Sequence, residues 1–194
     1  IVSSAGHGDA VPFDESLYAG QMGPRGNPVA SDLVKEADVI LALGTRLGFN
    51  STFFSYENIN EQASIIQVDI EPKSLGRYFP ITIGICADAK TTAIELYNEI
   101  SLKKETIKID SWTKNFLDKR KAYLKKRDAE ADFNPHLIQP SGLFKILRET
   151  LPKNSAVTLD AGTLYLQATD MLNFYHPRSL FTPLDFGLVG FSFA

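Results

Sequence analysis

The run DVILALG (Asp38–Gly44) decides the fold. Five apolar residues follow an acid and end in a glycine, with none of the polar alternation of a half-exposed strand. That is the composition of a parallel strand covered on both faces. Working upstream, Asn27-Pro28 is an N-cap followed by proline at the first helical position. Val29, Leu33, Val34 and Ala37 then recur at helical spacing. Working downstream, SIIQVDI (Ser64–Ile70), closed by Glu71-Pro72, is a second strand, and Ile81–Cys86 a third. Asp88 caps a helix through Ile100, with Ala93, Leu96, Tyr97 and Ile100 expected to face inward. Helix and strands in this order predict a doubly wound α/β domain ending near Ile100.

Lys103–Asp132 differs in character. It is dense in charge, with Trp112, Phe116, Leu117, Tyr123 and Leu124 as an apolar stripe. Its run KRKAYLKKR (Lys119–Arg127) is expected to be the solvated face of a linker helix rather than a nucleic-acid patch, because acids compensate it nearby. Phe133–Pro140 holds two prolines and reads as a hinge. Ser141 is expected to cap a helix carrying Leu143, Phe144, Leu147 and Leu151. A strand at Ala156–Leu159, a helix after Gly162 and a strand at Ser179–Thr182 open a second α/β unit. The expected divisions are 1–101, a charged helical linker over 102–138, and 139–194. Ile1–Ser4 reads as the end of a strand, and both ends of the chain are expected to lie inside a longer protein.

Composition narrows the function. The 194 residues are 44% hydrophobic and 22% charged, with a formal net charge of -3, which gives no reason to expect nucleic acid or an anionic membrane as partner. No apolar run approaches the ~20 residues that span a bilayer. Cys86 is the single cysteine, so an internal disulfide and a multi-cysteine zinc site are excluded, and a cytoplasmic setting is expected. His7, His136 and His176 lack ligand spacing, and no Gly-x-Ser-x-Gly elbow is present.

Chemistry is carried by the strand ends, where open parallel sheets bind ligands. In VTLDAGT (Val157–Thr163), Gly162 lets the backbone approach a phosphate, and the amides of the next helix face its charge. Gly187 and Gly190, in PLDFGLVGFSFA (Pro183–Ala194), let backbone press against a flat ligand. Arg46, in LGTRLG (Leu43–Gly48), reads equally as a phosphate partner or a surface ion pair. Asp69 reads as a ribose acceptor or a turn aspartate, and Asp160 as a general base or a structural acceptor.

AGHGDAVP (Ala5–Pro12), YAGQMGPRGNP (Tyr18–Pro28), ADVILALGTRLG (Ala37–Gly48), IIQVDIEP (Ile65–Pro72) and ADA (Ala87–Ala89) occur in order. Together they resemble the central, Rossmann-like (DHS-type) domain of the thiamine-diphosphate-dependent enzymes typified by acetolactate synthase. VTLDAGT and HPRSLFTPLDFGLVGFSFA (His176–Ala194) resemble the start of that family's diphosphate-binding domain, and FTPLDFGLVG is similar to its sulfoacetaldehyde acetyltransferase branch.

The resemblance implies a parent enzyme that cleaves or decarboxylates a 2-oxo substrate and transfers the two-carbon unit, using thiamine diphosphate and Mg2+, as a homodimer or homotetramer. It places Gly162 and Thr163 at the diphosphate, Gly187 and Leu188 at the aminopyrimidine turn, and Val189 at the apolar prop, where methionine is usual. Gly44, Arg46 and Asp69 match positions touching the dinucleotide of flavin-containing members. The second arginine of that pattern is replaced by Phe49, Asn50 and Ser51, so FAD is left open without being favoured. The resemblance puts the activating glutamate before Ile1 and the magnesium motif beyond Ala194, and the chain alone is expected to be inactive. The rival reading is a non-catalytic Rossmann-like nucleotide-binding module.

Overall fold

The computed structural model describes residues 1–103, 110–184 and 186–193, and of Phe193 the backbone alone. Residues 104–109, inside the expected charged linker, and Asp185 and Ala194, inside the expected cofactor tail, lie outside the described residues.

Helix α1 (Pro28–Glu36) starts as its sequence dictates. The Asn27 side chain accepts from the amides of Val29 and Ala30, and Pro28 takes the first turn, where no amide donor is needed. Strand β1 (Val39–Leu43) follows, then a single turn of helix, α2 (Phe49–Thr52), strand β2 (Ser64–Asp69), a short 3-10 turn at Pro72–Ser74 and strand β3 (Ile83–Cys86). The three strands form one parallel sheet in the order β1-β2-β3. Leu43 is in register with Val68, and Asp69 with Cys86, so the carboxyl ends of the strands emerge together. This is the Rossmann-like α/β arrangement expected from the sequence.

Helix α3 (Ala89–Leu102) is capped by Asp88, whose carboxylate accepts from the Thr91 amide at 2.8 Å. That bond holds the Asp88 carboxyl below its ordinary range. Helix α4 (Ser111–Ala129) packs on α1. Helix α5 (Pro140–Thr150), strand β4 (Val157–Thr158), helix α6 (Thr163–Met171) and strand β5 (Leu180–Phe181) complete the chain, with a 3-10 turn at Phe191–Phe193. β4 and β5 pair in parallel in a sheet separate from the first.

Two cores result. The first gathers Val29, Ala30, Val34, Ala42, Ile65, Phe79 and Phe116 on one face of the three-stranded sheet. The second gathers Phe144, Ala168, Leu172, Phe174 and Leu180.

Several expectations are corrected. The β1 strand is not covered on both faces: Val39, Leu41 and Leu43 are exposed, as are Ile83 and Ile85 on β3, at the other side of β2. α3 lies against β2, where Val68 is fully buried, and leaves the flanking strands open. For the same reason Leu96, Tyr97 and Ile100 are exposed rather than inward. The basic run is not uniformly solvated, since Arg127 is only 6% exposed. Ser141 does not cap α5; the helix begins one residue earlier, after Gln139, and the Ser141 hydroxyl accepts from the Asp132 amide. Ile1–Ser4 forms only an isolated bridge, Ser3 with Gln21.

Gln67 fixes the loops above the sheet. Its buried amide donates to the Thr45 and Ser74 carbonyls at 3.0 and 3.1 Å and accepts from the Gly76 amide at 2.8 Å. Gln67→Leu removes the side-chain partner of the Thr45 carbonyl and the Gly76 amide and leaves the Ser74 carbonyl only the Arg77 amide, at 3.4 Å. Chemical denaturation should therefore show a loss of roughly 2–3 kcal/mol of unfolding free energy.

Candidate functional site

Two neighbouring features occupy the positions where the sequence places chemistry. The first is a cleft of about 730 Å3 at the carboxyl ends of β1 and β2. Gly44 leaves β1 at φ +62°, a conformation that favours glycine, and its amide donates to the Val68 carbonyl at 2.8 Å. Gly44, Arg46 and Asp69 all line the cleft, so the structure brings these three predicted residues together. Asp69 also serves as a turn aspartate, accepting from the Glu71 amide at 2.9 Å. His7, Glu71 and Phe186 share the lining.

One wall of this cleft is aromatic, a feature the sequence reading missed. Phe49 stacks on Phe53 at 4.7 Å between ring centroids, and Phe54 lies 4.4 Å from Tyr78. Arg25 sits 5.4 Å over the Phe53 ring. The backbone that presents these rings is strained: Leu47, Phe53 and Phe54 adopt φ of 52°, 50° and 55° without being glycine. The run of aromatic residues from Phe49 to Tyr56 was the available signal; their left-handed geometry had none.

The second feature is the pair of turns at 160–163 and 183–191. Gly162 has φ 137° and ψ 179°, which only glycine adopts readily, and it sits where a side chain would cap α6 but supplies none. Thr163 is the first residue of the helix. Gly162 gives the helix no side-chain cap, and the N-terminal end of α6 is the electropositive end that faces an anion. Gly187 has φ 58°. A Cβ added at Gly162 or Gly187 meets nothing within 4 Å, so both backbones face open space. Leu188 and Val189 follow Gly187, at 54% and 83% exposure.

Asp160 joins the two turns. Its carboxylate accepts from the amides of Gly190 at 2.8 Å and Phe191 at 3.2 Å, while the Ala161 amide donates to the Leu188 carbonyl at 3.4 Å. Of its two sequence readings, the structural acceptor is the one these contacts describe.

The far end of α6 is held by charge. Asn27 donates to one oxygen of Asp170 at 2.9 Å, and the Tyr123 hydroxyl donates to the other. Burial, reinforced by the Asp170 charge, raises the Tyr123 phenol far above its ordinary range, so it remains a donor. Burial, then the neighbouring charge of Arg148, pulls Arg127 below its ordinary value.

The open cradles at Gly162 and Gly187 and the uncapped helix end fit a diphosphate carried on a flat heterocycle. Among the described residues, no group of three or more His, Cys, Asp or Glu side chains is placed to hold a metal ion. No helix among them is long and apolar enough to cross a membrane.

A parallel Rossmann-like sheet with a cleft at its strand ends, beside a glycine-presented helix N-terminus, defines a nucleotide- or cofactor-binding α/β protein. Residues 1–96 match the thiamine pyrophosphate enzyme central domain, and the chain belongs to that family of thiamine-diphosphate-dependent enzymes. It is 31% identical, over all of its length, to the sulfoacetaldehyde acetyltransferase of Castellaniella defragrans, covering 36% of that protein. It is 28% identical, over 95% of its length, to the acetolactate synthase large subunit of Haemophilus influenzae, covering 32% of it. The probable acetolactate synthase large subunit of Methanocaldococcus jannaschii is also 28% identical, with 94% of the chain and 31% of the relative aligned. The chain thus spans about a third of the length of these curated relatives.

Replacing Asp160 with alanine removes the acceptor for two turn amides. The Gly190 and Phe191 amides should then exchange with deuterium at least about tenfold faster, while β1–β3 keep their protection.

Proposed function

We propose that this chain supplies the central unit and one side of the cofactor site of a thiamine-diphosphate- and Mg2+-dependent enzyme. In this reading the enzyme cleaves or decarboxylates a small 2-oxo substrate and transfers the resulting two-carbon unit. The observation that carries it is the pairing, through Asp160, of the uncapped N-terminus of α6 with the Gly187 turn. Gly162 and Thr163 would hold the diphosphate, the Gly187 and Leu188 backbone would meet the aminopyrimidine, and Val189 would prop the bent cofactor. When bound, thiamine diphosphate supplies the electron sink for breaking a bond next to a carbonyl. The chain's own residues would present amides to the diphosphate and shape the turn.

Between an acetyltransferase and an acetolactate synthase, the FTPLDFGLVG tail and the 31% identity to the Castellaniella protein, against 28% to the two synthases, favour the acetyltransferase. The exposure of Phe186, Leu188 and Val189 supports a homodimer or homotetramer that covers them. Division at 1–101, 102–138 and 139–194, a cytoplasmic location and inactivity of the 194 residues alone belong to the same reading. A second reading, a nucleotide in the cleft at the strand ends, is favoured by Arg46 and Asp69 lining it together. Titration with adenosine diphosphate, and the visible absorbance of the purified protein for flavin, would test it.

Substitutions in the full-length protein test the cofactor site. Gly187→Val should abolish thiamine diphosphate binding in a calorimetric titration, because a branched side chain at φ 58° is strained and fills the space left for the ring. Val189→Met should be tolerated. Val189→Ala should slow turnover more than it weakens binding, since the prop selects the reactive conformer. Normal binding by the Gly187 variant would place the cofactor elsewhere.

A further inference from the structure

We infer that Gln21 is a positioning residue that sets the diphosphate turn from the far end of α6, and so ties that turn to the wall of the strand-end cleft. The inference rests on the reading of Gly162 and Thr163 as the diphosphate turn.

An α-helix leaves its last carbonyls without intrahelical partners. In α6 three of these are taken by side chains from three different parts of the chain. The Gln21 amide donates to the Thr169 carbonyl, Arg127 donates to the Asp170 carbonyl at 3.1 Å, and Arg148 donates to the Met171 carbonyl at 2.7 Å. The two guanidinium groups also oppose the negative end of the helix dipole. A helix of nine residues held so firmly at one end cannot shift its other end without breaking these bonds.

Gln21 differs from the two arginines in what its other atom does. Its carbonyl oxygen accepts from the Gly6 amide at 2.7 Å. Gly6 belongs to the loop whose Ser4, Ala5 and His7 line the cleft. That loop is packed too closely to slide: a Cβ at Gly8 would lie 2.5 Å from the Gln21 amide nitrogen, and one at Gly6 would lie 2.8 Å from Leu184, just before the Gly187 turn. Gln21 is 3% exposed, so water does not compete for either bond. One side chain therefore joins the cleft wall to the helix that presents the diphosphate turn.

The test uses the full-length protein with two variants. Gln21→Leu removes both bonds at similar volume, whereas Gln21→Glu keeps an acceptor for Gly6 and loses the donor to Thr169. Thiamine diphosphate affinity should fall about tenfold in both variants. Rescue by Gln21→Glu, or unchanged affinity in either variant, would mean that Gln21 serves only the loop and would overturn the inference. Hydrogen exchange without cofactor reads the same contact independently. Amides of residues 166–171 should exchange about tenfold faster in both variants, and protection equal to the unsubstituted protein would overturn the inference. If the unsubstituted protein binds no thiamine diphosphate, the functional reading fails while this exchange result still decides the role of Gln21. Should neither variant fold, exchange in the unsubstituted protein under mild denaturant decides. Gly6, Gly8 and α6 should open as one cooperative unit, and independent opening of α6 would overturn the coupling.

Discussion

Parallel pairing of β1 with β2 is the constraint from which the site follows. Because Val39 stands beside Ser64 and Leu43 beside Val68, both strands release their loops at one level of the sheet. A shift of the register would part Gly44 and Arg46 from Asp69 and close the cleft they line. Gln67 reinforces the pairing from inside, since a single buried amide holds the loop after β1 and the turn after β2. The cleft is thus set by backbone geometry before any charged side chain is considered.

The second unit applies the same principle with fewer strands. β4 ends just before Asp160 and β5 just before the turn at 183–187, so a two-residue pairing brings the two glycine turns side by side. Asp160 then closes the gap with two charge-assisted bonds to backbone amides. A carboxylate spent in this way cannot also be a mobile base. The helix that follows presents its positive end where the sequence had placed a diphosphate.

What was legible in the sequence was local. The Asn27-Pro28 start of α1, the Asp88 cap and the apolar run of β1 each depend on neighbours within a few residues, and each appears where its pattern put it. The glycine turns were legible because φ values above zero leave few alternatives to glycine. Periodicity identified the apolar side of α3, yet it carries no information on whether another layer covers that side. The junction at the end of α6 was invisible for a different reason. Gln21 and Thr169 are 148 positions apart, and Asn27 and Asp170 are 143 apart, so no spacing rule relates them. Arg127 was read with its charged neighbours because burial of one residue in a basic run depends on what the helix lies against.

The left-handed residues at the cleft have an evolutionary consequence. Each non-glycine residue held there costs about 1–2 kcal/mol, while an aromatic pair returns roughly 0.5–1.5 kcal/mol. Phe53 and Phe54 are therefore positions that selection for stability alone would replace with glycine or asparagine, whereas Leu47 is held by the core it fills. Such replacements would relax the backbone and erase the ring wall in the same step. Lineages that retain aromatic side chains at Phe53 and Phe54 would then be those in which the wall is in use, and drift toward glycine would mark descendants whose cleft has fallen idle.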